Sequence, residues 1–211
     1  MAETSGTEAR SRDIRDIRDI VAVVLLSTMA VLTAWCGFQA SKWGGEMSIA
    51  FSQASSARVQ ATNFDGQARD QRQFDLTVYA SWVEAQAAGQ EELAAYIAER
   101  FQPEFRVAFD AWQAEGADEG GPFVQEEYVP AGSVEAAEYS ALADAKFAEA
   151  LENNQRGDNY SLLTVLFALV LFLTAMSQRN IAAWASRTFL GLAIVVGIAG
   201  IVILLTFPIK V

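Results

Sequence analysis

Three apolar runs, at 20–38, 160–177 and 188–207, constrain this chain more than any other feature of it. Each is close to the ~20 residues a helix needs to cross a hydrocarbon core. None contains Asp, Glu, Lys or Arg. Backbone placed in lipid must satisfy its own N–H and C=O groups, so an uncharged run of this length predicts a helix. The chain therefore reads as all-α: three transmembrane helices, with the mostly polar stretch 39–159 inserted between the first and second spans.

Orientation follows from Lys and Arg in short flanks, because long domains translocate largely regardless of their charge. Arg10, Arg12, Arg15 and Arg18 precede the first run, Arg179 and Arg187 bracket the loop 178–187, and the tail 208–211 carries only Lys210. This predicts a cytoplasmic segment 1–19, an extracytoplasmic domain 39–159, a cytoplasmic loop 178–187 and an extracytoplasmic tail. A cleaved signal peptide would need small residues at its exit. Trp35, Phe38 and Gln39 stand there instead, so an uncut anchor is expected. Cys36 follows Trp35 rather than the small residue that lipidation wants, and as a lone cysteine it closes no internal disulfide. It reads as a small apolar residue near the outer interface. Twelve Arg against three Lys, abundant Ala and no organelle signal point to a bacterial cytoplasmic membrane.

The net charge of −11 is concentrated in the inserted stretch. Residues 39–159 hold 21 Asp and Glu against 8 Lys and Arg, a local net of −13. That sign disfavours nucleic acid and anionic surfaces as partners. It suits cations, a basic protein or simple solubility. The expected partners are membrane lipid around the spans and either a second copy or another membrane protein.

Within the stretch, small or apolar residues recur at Ala50, Ala54, Ala57, Ala61, Phe64 and Ala68, in the steps of four and three that mark a coiled-coil seam. No proline interrupts residues 43–88. The seam stays in phase across Gly66, where a mid-helix glycine costs only ~1 kcal/mol, so one continuous helix is favoured. The alternative breaks it at Gly66. Residues 90–114 are helical in pattern with a bend or stop at Pro103. Residues 134–154 follow Ser133, a candidate N-cap. The inserted domain is thus a long helical hairpin with an interrupted return arm, or, with a break at Gly66, a four-helix-bundle-like unit. Residues 116–132, rich in Gly, Pro and acid, read as an ordered loop or cap.

Four groups of residues invite a functional reading. Phe101, Phe105, Phe109 and Trp112 form a helical stripe, which lines a groove or, more simply, is the buried face of a helix. Trp35, Lys42, Trp43 and Glu46 form an aromatic and charged band at the membrane exit, where tryptophan anchors well. Lys42 and Glu46 have the spacing of a helical ion pair. In the third span Gly191, Ala193, Gly197 and Gly200 permit close helix packing in lipid, against another span or a neighbouring subunit. The triplet repeat over 12–20 places Ile14, Ile17 and Ile20 on a slowly drifting stripe beside alternating charges, suited to the cytoplasmic interface.

Chemistry is harder to place. With no histidine, the usual neutral-pH base and the commonest metal ligand are missing. Glu-x-x-His di-iron sites and Cys/His zinc sites cannot be built. The carboxylates Asp118, Glu119, Glu126 and Glu127 lack an EF-hand pattern, and there is no glycine-rich phosphate loop. Spans without ionisable residues make a poor pump or transporter. No catalytic, cofactor-binding or metal residue is therefore expected.

The phrases at residues 34–46 (AWCGFQASKWGGE) and 100–106 (RFQPEFR), together with the two closing spans, resemble a group of uncharacterised bacterial three-span membrane proteins with a helical extracytoplasmic domain. That resemblance implies a membrane location and a shared layout, but no activity. A second likeness, of architecture, is to the helical sensor domains of chemoreceptors, although the inner segments here are too short for a signalling module. The leading expectation is a non-enzymatic structural or protein-interaction scaffold. Behind it stand a sensor or accessory subunit of a larger membrane complex and, further back, a carboxylate-dependent hydrolase.

Overall fold

The computed structural model describes residues 2–117, 120–179 and 182–210, with side chains from residue 17 onward. Its elements are the helices α1 (Ala2–Ala87), α2 (Glu91–Ala98), α3 (Pro103–Ala114), α4 (Ser133–Ser177) and α5 (Ala183–Leu204), with one 3-10 turn at Pro122–Val124. Among the described residues there is no strand. Three of these helices, α4, α5 and the Ile17–Ala87 portion of α1, are long and apolar enough to cross a membrane.

Helix α1 runs unbroken through Gly66, so the break at that glycine does not occur. It ends where Gly89 takes a left-handed conformation, φ 69°. The Gln90 N–H then reaches back to the Ala85 carbonyl and the Gly89 N–H to that of Gln86, the paired bonds of a Schellman stop. Gly116, at φ 97°, ends α3 in the same way. There the Ala117 N–H bonds the Trp112 carbonyl and the Gly116 N–H that of Gln113. Between α2 and α3 the chain breaks as Pro103 requires, and the proline becomes the first residue of α3, where its missing N–H is harmless.

One expectation at a helix end needs correction. Ser133 does not cap α4 from outside. It is the first helical residue, its hydroxyl donates to the Pro130 carbonyl at 2.6 Å, and Gly132 at φ 91° makes the entry. Helix α5 starts at Ala183, five residues ahead of the apolar run. It stops at Leu204, short of Phe207, which Pro208 pushes away from the α region.

The chain divides into two compact units. The first comprises Met1–Ala50 and Glu149–Val211, the second Phe51–Ala148. Helices α1 and α4 contribute a portion to each.

In the first unit α1, α4 and α5 pack around Met29, Cys36, Trp43, Tyr160, Leu163, Phe167, Val170, Leu173 and Ala193. Large apolar residues facing outward, such as Val24, Val31, Leu162, Val165, Val195 and Ile198, suit a hydrocarbon surrounding. Several Ser and Thr within these helices return their hydroxyls to the backbone one turn back, as Thr33 does to Met29 and Thr174 to Val170, both at 2.7 Å.

In the second unit Ala54, Ala57, Ala61 and Ala68 of α1 are buried, as is Ala143 of α4. Phe64 stacks on Tyr139 at 5.5 Å and Phe51 meets Phe147 edge-on at 5.4 Å. Beyond them α3 and the 3-10 turn close an aromatic core over α1.

Candidate interaction surfaces

The aromatic stripe is the centre of the second unit's core. Phe101, Phe105, Phe109 and Trp112 are all at most 8% exposed, packed with Tyr79, Trp82, Phe123 and Tyr128. Ring centroids lie 4.8–6.5 Å apart in largely edge-to-face pairs, the arrangement that quadrupoles favour. As candidates for a partner-facing surface these four residues are internal, because α3 turns its apolar stripe onto α1 and away from solvent.

Beneath that core lies a polar arrangement that no spacing announced. Asp75 is 1% exposed and its Oδ2 accepts a hydrogen bond from the Tyr128 hydroxyl at 3.0 Å. Arg72 lies over the Tyr128 ring at 6.0 Å. One turn before Asp75, Gln71 donates to Glu104 at 3.1 Å and accepts from the Ala131 N–H at 3.0 Å. Burial pushes the Asp75 carboxyl up, opposed by the Tyr128 hydrogen bond and aided by the charge of Glu104. Burial and the adjacent carboxylate likewise raise Tyr128. These contacts pin the loop 120–132 to α1. The one hint in the sequence is that Asp75 sits a helical turn before Tyr79 on the face that carries the aromatics.

In the first unit the interfacial band divides. Trp35 and Lys42 face outward, Trp35 lying 5.9 Å from Phe38 and Lys42 lying over the Phe38 ring. Trp43 is buried, between its own helix and α4, with Arg156 4.7 Å and Lys210 5.7 Å from its ring. Among the described residues its Nε1–H finds no hydrogen-bond partner. The expected Lys42–Glu46 pair is not formed. Glu46 bonds Lys210 at 3.3 Å, and a lysine preceding a glutamate by four residues is the weaker order for a helical pair. Gln39, also unforeseen, is fully buried and joined to the Lys210 backbone. Tyr160 donates its hydroxyl to the Pro208 carbonyl at 3.0 Å and meets Phe207 edge-on.

Three of the four small residues singled out in α5 find their mates inside the chain. Ala193, Gly197 and Gly200 are buried. A Cβ on Gly197 would lie 3.0 Å from Met29 of α1, and one on Gly200 2.7 Å from Phe167 of α4. Gly191 is different, with nothing near the position of a Cβ. Of the acidic loop, Asp118 and Glu119 lie outside the described residues, as do the side chains of Arg12–Asp16 in the triplet repeat. Among the described residues no three Cys, Asp or Glu converge as a metal would require.

The second unit also leaves an open groove of about 540 Å³ between α1 and α4, lined by Phe51, Ser55, Val59 and Thr62 with Ala143 and Phe147. Sequence periodicity marked the alanine seam beside it, but not this flank.

No family model, curated protein or solved structure matches the chain.

Proposed function

We propose that this chain is an integral protein of a bacterial cytoplasmic membrane, with its N-terminus inside and residues 39–159 outside. In this reading it acts as a structural or protein-interaction scaffold through the helical domain between its first two spans. The observation that carries it is the division of labour within the Phe51–Ala148 unit. The aromatic stripe of α3 is used up in a closed core, while apolar residues of the stem, Val59, Leu142 and Phe147, are 47–56% exposed. Contiguous exposed apolar surface marks contact with another macromolecule, and Val59 and Phe147 line one groove with Phe51. Arginine on the flanks expected inside, and a single lysine on the tail expected outside, support the orientation.

The test is in-membrane cross-linking of the full chain, mild solubilisation and mass spectrometry of what stays attached. Adducts through residues 51–148 support a scaffold acting through that domain. Adducts confined to the spans or to the inner segments would overturn it.

A further inference from the structure

We propose that the segment 120–132 is a proton-operated strap over the aromatic core of the Phe51–Ala148 unit, closed by the Tyr128–Asp75 hydrogen bond and released when Asp75 ionises and takes Arg72 as its partner. This goes beyond the scaffold reading, and it holds on whichever side of a membrane the unit lies.

Two kinds of contact hold the strap down. Its rings lie on the core, where Phe123 stacks on Phe105 at 4.8 Å and meets Tyr79 edge-on at 5.5 Å, and Tyr128 meets Phe105 edge-on at 5.8 Å. Its polar holds on α1 run to residues one turn apart. The Tyr128 hydroxyl donates to Asp75 and the Ala131 N–H to Gln71, both at 3.0 Å. Near its two ends Gly121 and Gly132 take left-handed φ values of 71° and 91°, and a few loop residues of this kind suffice to absorb the rotation of a hinge.

Closure puts a carboxyl group where charge is costly. Asp75 is 1% exposed, and burying a carboxylate is expensive unless a cation pairs with it. Among the described residues Asp75 has no ion pair. The charged and titratable groups around it are Tyr128 from the strap, Glu104 from the first turn of α3, and Arg72 and Tyr79 from α1 itself. Arg72 lies over the Tyr128 ring at 6.0 Å instead of pairing with the acid. Burial, and after it the charge of Glu104, favour the protonated acid in the closed state, while the hydrogen bond from Tyr128 opposes them.

Lifting the strap carries Tyr128 away and admits water. Asp75 and Arg72 then share an open helical face three residues apart, the spacing of an ion pair. Each state thus satisfies the carboxyl, the closed one with a proton and Tyr128, the open one with Arg72. A group that holds its proton more tightly in the closed state contributes fully to closure below its ordinary value and loses that contribution as pH rises. Release uncovers Phe105, which is fully buried while the strap is down.

The test is hydrogen exchange on the full chain in mild detergent from pH 4 to 8, each rate divided by that of an unstructured peptide at the same pH. Protection of 120–132 should fall severalfold as pH rises, while 103–114 keeps its protection. Asp75→Asn should hold the strap closed and remove the pH dependence. Glu104→Gln keeps an acceptor for Gln71 but removes the charge that disfavours ionisation, so its fall should be smaller than in wild type. A flat wild-type profile, or a fall that persists in Asp75→Asn, overturns the proposal. So does an equal fall across 103–114, which would mean that the unit opens as a whole.

Discussion

Gln39 holds the backbone of Lys210 by both ends of its carboxamide: Nε2–H donates to the Lys210 carbonyl at 2.9 Å, and the Lys210 N–H donates to Oε1 at 3.0 Å. The pairing joins α1 to the segment that follows α5 across 171 residues of sequence. Because Gln39 is fully buried, removing its amide strands two backbone groups at once. An unsatisfied buried group costs about 1–3 kcal/mol, so Gln39→Leu should lose roughly 2–4 kcal/mol of stability. Gln39→Glu keeps an acceptor for the Lys210 N–H and should lose less. Thermal melts of the full chain in mild detergent give the order, and equal melting of Gln39→Leu and wild type would remove the clasp from the account.

The two ends of the glycine series in α5 should respond differently. A methyl on Gly200 meets the Phe167 ring at 2.7 Å and Leu166 at 3.2 Å, both buried or half-buried in the first unit's core. Overpacking of this kind costs about 1–3 kcal/mol, so Gly200→Ala should melt lower. Gly191→Ala has open space around it and should stay within ~0.5 kcal/mol of wild type, as surface substitutions usually do. A matched loss at both positions would show that helix flexibility, and not the contact with Phe167, governs the site.

Periodicity along a helix tells which face turns inward, and that much could be read. The helical class, the continuity through Gly66, the break before Pro103 and the inward aromatic stripe all follow from spacing and from the two residues that stop helices. What lies opposite a face could not be read in the same way. Gln39 shows no spacing relation to Lys210, nor Asp75 to Tyr128 some 53 residues on. Local rules also lose to distant partners. Glu46 has Lys42 one turn away and bonds Lys210 instead, and Ser133 has the chemistry of a cap but spends its hydroxyl on Pro130.

Gly132 should tolerate no side chain. Its φ of 91° is one that L residues rarely adopt, and a Cβ would lie 2.7 Å from the Phe64 carbonyl oxygen, backbone that cannot swing aside. A forced left-handed residue costs of order 1–3 kcal/mol, and the clash adds to it. Gly132→Ala should therefore loosen the entry to α4. Hydrogen exchange on the full chain should show lost protection at Ala136, whose N–H bonds the Gly132 carbonyl at 2.8 Å. Unchanged protection there would count against the constraint.

Asp75 should give the second unit a stability that falls as pH rises. Burial raises its carboxyl in the folded state, with Glu104 adding to the effect and Tyr128 opposing it. Below the ordinary Asp value of about 3.9, both folded and unfolded chains hold the proton and stability is full. As pH climbs above that value the unfolded chain releases the proton first, so stability declines until pH passes the raised folded value. Asp75→Asn still offers an oxygen to the Tyr128 hydroxyl and carries no charge. It should abolish this decline and melt higher than wild type at neutral pH. Tyr128→Phe removes the hydrogen bond that favours the carboxylate, so the folded value should move further up and the decline should extend to higher pH. Denaturation midpoints from pH 3 to 8 for the three proteins separate these cases. A wild-type decline that survives intact in Asp75→Asn would assign the titration to another carboxylate.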